Sequence, residues 1–221
     1  EFYLTKIRKK LLKKFLSNSD NLFFKKIYKF LIVFAEQKFF CEFIYHETDE
    51  EKDLLKKLKN KIKKKDGICE LSILLISLYK PLNKSNFLSK KLVSYISKSN
   101  EFNEFLKYVL HDPNKDKEVS MSLKSISNFS NKTSRLMKSQ YEQNPFPRWR
   151  YTLRPMKGND INELTKKFSQ TFFKEPEILI AGCGTGQQAI TYSSYKDSKI
   201  HAVDLSRDSL AYAIRKARER N

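Results

Sequence analysis

The stretch between Pro176 and Ser206 constrains this chain more than any other. Glu177-Ile178-Leu179-Ile180-Ala181 is a short apolar run with β-branched members, bounded by Pro176 and Gly182. A run of that length and composition predicts a buried strand of a parallel sheet. It leads into Gly182-Cys183-Gly184-Thr185-Gly186, and Gln187-Gln188-Ala189-Ile190 then suits the opening of a helix. A second strand is predicted over 199–205, with Asp204 at its end. Ser206 follows as a cap for a helix that places Leu210, Ala213, Ile214 and Ala217 on one side. The order is strand, glycine loop, helix, strand with a terminal acid, helix, which is the first half of a nucleotide-binding α/β sheet.

Each part has a physical task. Glycines at 182, 184 and 186 let the backbone turn tightly and approach a ligand with no Cβ in the way. Amides at the helix start face the ligand. A carboxylate at the tip of the neighbouring strand accepts two hydrogen bonds from a ribose diol. A dinucleotide fingerprint has the form G-x-G-x-x-G. Here the spacing is G-x-G-x-G, and Gln187 stands where the third glycine of that fingerprint belongs. No lysine follows the loop as a phosphate-cradling loop requires.

This pattern resembles motif I of class I S-adenosylmethionine-dependent methyltransferases. The resemblance implies S-adenosylmethionine as cofactor. It places Ala181, Gly182, Cys183, Gly184, Gly186 and Gln187 around the methionine part, Asp204 on the ribose, and Leu205 near the adenine. Upstream, the segment 34–51 and the block Tyr141-Glu142-Gln143-Asn144-Pro145-Phe146-Pro147-Arg148-Trp149 are similar to successive blocks of bacterial methyltransferases that carry tetratricopeptide repeats at their N-terminus. The implied fold class is an α-helical N-terminal region followed by the start of a Rossmann-like α/β methyltransferase domain. The implied domains are a helical region over 1–140, a connector or lid over 141–158 and the methyltransferase part over 159–221. By the same resemblance the chain is a fragment: repeats would lie upstream of Glu1, and further strands would lie beyond Asn221. The fragment alone is then expected to be inactive, with an exposed sheet edge prone to aggregation. The methyl acceptor is unidentified, either protein or small molecule, and upstream repeats would add protein partners. The alternatives are a non-catalytic helical interaction module with a degenerate nucleotide-binding appendage, and a nicotinamide-dependent oxidoreductase, which Gln187 disfavours.

Residues 1–140 read as helices. Leu11, Leu12, Phe15 and Leu16 fall on one face, and Ile27, Phe30, Leu31 and Phe34 repeat the pattern. Thr48-Asp49-Glu50-Glu51 is a capping box. The helix it starts turns Leu54, Leu55, Leu58 and Ile62 inward, has acids first and lysines last, and stops at Asp66-Gly67. The apolar run 68–79 is about 12 residues against the roughly 20 that a membrane span needs, so it predicts a buried helix ending before Pro81. Helices over 85–97 and 101–110 follow, the second capped by Asn100 and striped by Phe102, Phe105, Leu106 and Val109. Pro113 ends it, and the polar segment 112–122 reads as a loop. A further short helix is expected over 160–172. Between these, Pro145 and Pro147 keep the 141–149 block from being helical throughout. Two readings of that block stand open: a rigid connector, or a strap over a ligand site with Tyr141, Arg148 and Trp149 as contacts.

The net charge is +19, and +14 of it falls within residues 1–140. Lys outnumbers Arg 35 to 9, whereas phosphate and base recognition favours the planar Arg fork. The charge therefore reads as a solvated lysine coat and not a nucleic-acid surface. Cys41, Cys69 and Cys183 form neither a metal-ligand spacing nor an even disulfide framework, which suits a reducing, cytoplasmic setting. Cys183, near a helix N-terminus, could have a lowered pKa, but a displacement at a sulfonium needs no protein nucleophile, so loop packing is its expected role. His46, His111 and His201 have no partner at ligand spacing, and Glu36, Glu42 and Glu47 form no catalytic pair. Neither a metal site nor a catalytic residue can be named.

Overall fold

Thr48 and Glu51 form the reciprocal cap that their spacing predicts. Thr48 Oγ1 accepts from the Glu51 amide at 3.3 Å, and Glu51 Oε2 accepts from the Thr48 amide at 2.8 Å. From this cap grows α4 (Asp49–Lys64), which buries Leu55, Leu58 and Ile62 and places lysines in its last turn. The computed structural model describes residues 2–17, 21–64, 67–125, 131–143, 145–151 and 160–220. Asp66 and Asn144 lie outside the described residues, as does all of 152–159. The described chain is mostly helical, with one two-stranded parallel sheet. It divides into two units, Glu1–Asn114 and Lys115–Asn221.

The first unit is helical. It contains α1 (Phe2–Leu16), α2 (Asn21–Lys26), α3 (Tyr28–Phe40), α4, α5 (Glu70–Ser77), a 3₁₀ turn at Leu82–Lys84, α6 (Asn86–Leu92) and α7 (Asn100–Leu106). Its core gathers Leu12, Leu31, Leu58, Leu74, Phe102 and Phe105, among others. The apolar run over 68–79 becomes α5, buried from Ser72 to Ser77, with the Ser77 hydroxyl donating to the Ile73 carbonyl. The Glu70 carboxylate at its start accepts from the hydroxyls of Tyr28, Tyr95 and Ser97, which ties α3, α5 and the segment before α7 together. In α3 the inward face holds Leu31, Phe34, Ala35 and Lys38, while Phe30 is exposed. This helix is apolar nearly all round, so periodicity alone could not orient it. Lys38 is buried among rings, with its ammonium 5.0 Å from the Tyr45 centroid, a cation–π arrangement.

Several boundaries differ from the sequence expectation, each for a local reason. The helix expected over 85–97 is only α6, ending at Leu92, where the Tyr95 amide turns back to the Leu92 carbonyl at 3.1 Å. The cap of α7 is Ser99, one residue before Asn100. Ser99 has the extended backbone a cap requires, and its hydroxyl accepts from the Phe102 amide at 3.2 Å. Pro113 does not end the helical path. A π turn over Lys107–His111 leads into α8 (Asp112–Ser122), which puts Pro113 in a first turn, where its missing N–H leaves nothing unpaired. The 112–122 segment is thus helix and not loop. It has no apolar stripe, so periodicity was silent. Within the second unit its polar face is held instead by α12 (Arg207–Arg218): Arg215 makes a two-pronged ion pair with Asp116 at 2.6 and 3.1 Å, and Ser120 bonds Asp208. The helix expected over 160–172 is only α10 (Ile161–Thr165). Asn162 accepts from the Phe173 amide and donates to its carbonyl, pulling the chain back on itself.

The second unit also contains α9 (Lys132–Gln143) and the sheet. Strands β1 (Glu177–Ala181) and β2 (Lys199–Val203) run parallel, with Glu177 opposite Lys199 and Ala181 opposite Val203. Between them lies α11 (Gln187–Tyr192), the crossover that parallel pairing demands. β1 was expected to be buried on both faces; Ile180 is buried but Leu179 is 67% exposed, because among the described residues only one face of the sheet is covered. In α12 the buried residues are Ser209, Ala211, Tyr212 and Lys216. The helix is rotated from its predicted face because Tyr212 packs with Trp149 and Ile190, while Ala213 faces the glycine loop.

Candidate functional site

Just past the tips of β1 and β2 lies a cleft of about 940 Å³, within the size range of ligand pockets, roughly 300–1,000 Å³. Gly182, Cys183, Gly184, Gln187, Asp204 and Leu205 line it. Two of the sequence-predicted residues do not. Ala181 is the last residue of β1 and is exposed. Gly186 is buried, and a Cβ on it would lie 2.4 Å from Ala213 Cβ. Its φ of +79° and this close approach let the loop rest directly on α12. Gly186 therefore packs the loop and does not border the cleft. The opposite wall comes from α9, through Thr133, Met137 and Tyr141, and from Phe146 and Pro147.

The loop is wired internally. The Gly182 and Cys183 amides both donate to the Val203 carbonyl, at 2.9 and 3.0 Å, and the Gly186 amide donates to Cys183 O at 2.9 Å. The Gly184 amide donates to Asp204 Oδ2 at 2.8 Å, while Asp204 Oδ1 accepts from the Ser206 amide at 2.8 Å. The Gly182, Cys183 and Gly184 amides thus hold the loop to the second strand and the acid beyond it, and the Gly186 amide closes the loop on itself. Asp204 lies one residue past the end of β2, at the mouth of the loop. Each of its oxygens holds one N–H and keeps a further acceptor direction.

Cys183 is buried, and burial pushes its thiol up to about 11, with the Asp204 carboxylate acting in the same direction. This reverses the lowering that a helix N-terminus suggested. A raised pKa leaves the thiol protonated at neutral pH, and the thiolate is the reactive form. Cys41 and Cys69 are only partly buried. Iodoacetamide at pH 7.5, followed by peptide mass spectrometry, should therefore label Cys183 last. Labelling of Cys183 ahead of the other two would contradict the packed, protonated thiol.

The 141–149 block divides its work. Tyr141, Phe146 and Pro147 border the cleft. Trp149 turns into the protein instead: it is buried, its indole N–H donates to the Thr185 carbonyl at 3.1 Å, and its backbone pairs with the Tyr212 hydroxyl. The Thr185 hydroxyl donates to the Pro147 carbonyl at 2.6 Å. Sequence reasoning gave Tyr212 no part in the site and Thr185 only a place within the glycine loop. Thr185 occupies a variable position of the glycine motif, and Tyr212 meets Trp149 across 63 residues of chain, a distance that periodicity does not reach. His201 lies on β2, exposed, with Nε2 3.4 Å from Glu177 Oε2 across the sheet. Among the described residues no group of three His, Cys, Asp or Glu side chains could hold a metal ion, and no helix is long and apolar enough to cross a membrane. No family model, curated protein or solved structure matches the chain.

Proposed function

We propose that this chain belongs to an S-adenosylmethionine-dependent methyltransferase and forms its donor-binding part, at the start of a Rossmann-like domain. The observation that carries the reading is the contact between Gly184 N and Asp204 Oδ2 at 2.8 Å. It joins the glycine loop of one strand to the acid beyond the next, across the crossover of a parallel pair. A nucleoside with a free ribose diol fits this arrangement. Asp204 retains acceptor directions for two hydroxyls, and exposed Leu205, on the rim of the cleft, offers an apolar face to a purine. The third glycine falls at 186, one residue short of the dinucleotide spacing, which favours a donor other than a dinucleotide.

When bound, S-adenosylmethionine supplies a methyl group on a sulfonium that is open to direct displacement. The residues here bind and orient. The loop passes close to the ligand without a Cβ at Gly184, the Asp204 carboxylate fixes the sugar, and Tyr141 and Phe146 close the far side of the cleft. Holding the donor in one pose removes orientational freedom before the reaction. Calorimetric titration of the 221-residue chain with S-adenosylhomocysteine and, separately, with NAD tests the reading. One-to-one binding of S-adenosylhomocysteine and none of NAD at the same concentration is expected. Binding of NAD alone, or of neither, overturns it.

A further inference from the structure

We propose that Trp149, Thr185 and Tyr212 form a positioning clamp that sets the shape of the glycine loop through contacts separate from those of Asp204. The proposal rests on the donor-binding reading for its consequence but on contacts within the second unit for its geometry.

A loop with glycine at every second position has much backbone freedom to lose, so a single binding-ready shape needs restraint. One restraint is the Gly184–Asp204 bond with the two amides on Val203 O. Separately, Thr185 is gripped twice by the strap that contains Trp149. Its carbonyl accepts from the indole N–H at 3.1 Å, and its hydroxyl donates to Pro147 O at 2.6 Å. The peptide from Thr185 to Gly186 cannot rotate without breaking the indole bond. That peptide also includes the Gly186 amide, which closes the loop on Cys183 O.

The indole is itself fixed. The Tyr212 hydroxyl accepts from the Trp149 amide at 3.0 Å and donates to the Trp149 carbonyl, and the two rings pack edge to face with centroids 5.9 Å apart. Thr185, Tyr212 and Trp149 are 2%, 4% and 8% exposed. Bulk water cannot readily replace a partner that is removed, so the cost of losing one falls on the loop. A chain segment that served only to connect two elements would need no bonds to the loop. This one makes two, both to the residue between Gly184 and Gly186.

Two measurements on the 221-residue chain and its variants test the clamp. Trp149→Phe keeps an aromatic ring without the N–H; Thr185→Val keeps the shape without the hydroxyl; Thr185→Ser restores the hydroxyl. Amide hydrogen exchange is measured without ligand, and S-adenosylhomocysteine affinity by calorimetry. Trp149→Phe and Thr185→Val should speed exchange over 182–188 at least tenfold, leave α10 and β2 unchanged, and raise Kd at least tenfold. Thr185→Ser should stay within twofold of the parent in both. Unchanged loop exchange in both Trp149→Phe and Thr185→Val overturns the clamp. Exchange that rises throughout 160–220 also overturns it, because the contacts then serve stability alone. If the parent binds no S-adenosylhomocysteine, the donor reading falls by itself, and the clamp is still decided by loop exchange.

Discussion

Asp204→Ala should weaken S-adenosylhomocysteine binding by more than tenfold. Two losses add. The first is direct: hydrogen bonds from ribose hydroxyls to a carboxylate are each worth about 1.5–3 kcal/mol, and about 1.4 kcal/mol is a factor of ten in affinity. The second is indirect. Asp204 holds the Gly184 amide through one oxygen and the Ser206 amide through the other, both at 2.8 Å. Alanine frees the loop and removes a restraint from the start of α12, so the ligand must order the loop as it binds. Asp204→Asn separates the two. Its amide oxygen can still accept from one backbone N–H but brings no charge, so an affinity between those of parent and alanine variant is expected. Calorimetric titration of the three proteins decides it. An Asp204→Ala protein that binds within twofold of the parent would remove the acid from the site.

The largest stability effect is expected in the first unit. Arg8 is 1% exposed, and its guanidinium donates to Glu51 Oε1 at 3.1 Å and to the carbonyls of Tyr45 and His46. It also lies 4.5 Å over the Tyr79 ring. Glu51 is 2% exposed and accepts from the Thr48 amide as well. A buried pair of this kind gains little net energy from existing, but removing one member leaves the other charge stranded, at about 3–5 kcal/mol. Arg8→Met should therefore lose about that much against a typical total of about 5–15 kcal/mol, read as a lower urea midpoint. An Arg8→Met/Glu51→Leu double variant should recover part of the loss. Recovery is partial because Glu51 also closes the cap of α4.

The same pair sets a pH dependence. Burial pulls the Glu51 pKa upward, but the Thr48 amide and the Arg8 guanidinium outweigh it, and the net shift is below the ordinary 4.5. With a depressed folded value, the unfolded chain binds more protons in the interval between the two pKa values. The stability that Glu51 contributes is thus fully present above the ordinary value and is lost as pH falls through the folded one. Arg8→Met should shrink or reverse that loss, because desolvation then acts without the compensating cation and protonation relieves the stranded carboxylate, so the gap between parent and variant narrows as pH falls. Urea midpoints followed from neutral pH downward would show it. Parallel curves for parent and variant would contradict the pairing.

The parts of this chain set by neighbours in sequence were legible in it. The Thr48–Glu51 cap, the inward leucines of α4, both strands, the Gly loop and the Ser206 cap all follow from patterns within a few residues. Six of the eight predicted binding positions line the cleft. What was misread depended on distant partners. The segment 112–122 has no apolar stripe, yet it is helix because α12 supplies ionic and hydroxyl contacts to its polar face. Cys183 has a raised pKa because the fold buries it beside Asp204, which outweighs its place near a helix start. The α12 face rotated because one hydroxyl, on Tyr212, found the Trp149 backbone.

The sequence by itself determined where strands, caps and glycines lie, since those obey local sterics and a hydrophobic period. Only the tertiary structure decided what the Pro-aromatic block does. Its prolines forbid a continuous helix, but whether it connects or grips depends on a carbonyl at Thr185 coming within 3.1 Å of an indole N–H. No local rule encodes that distance, because packing fixes it between segments that lie far apart along the chain.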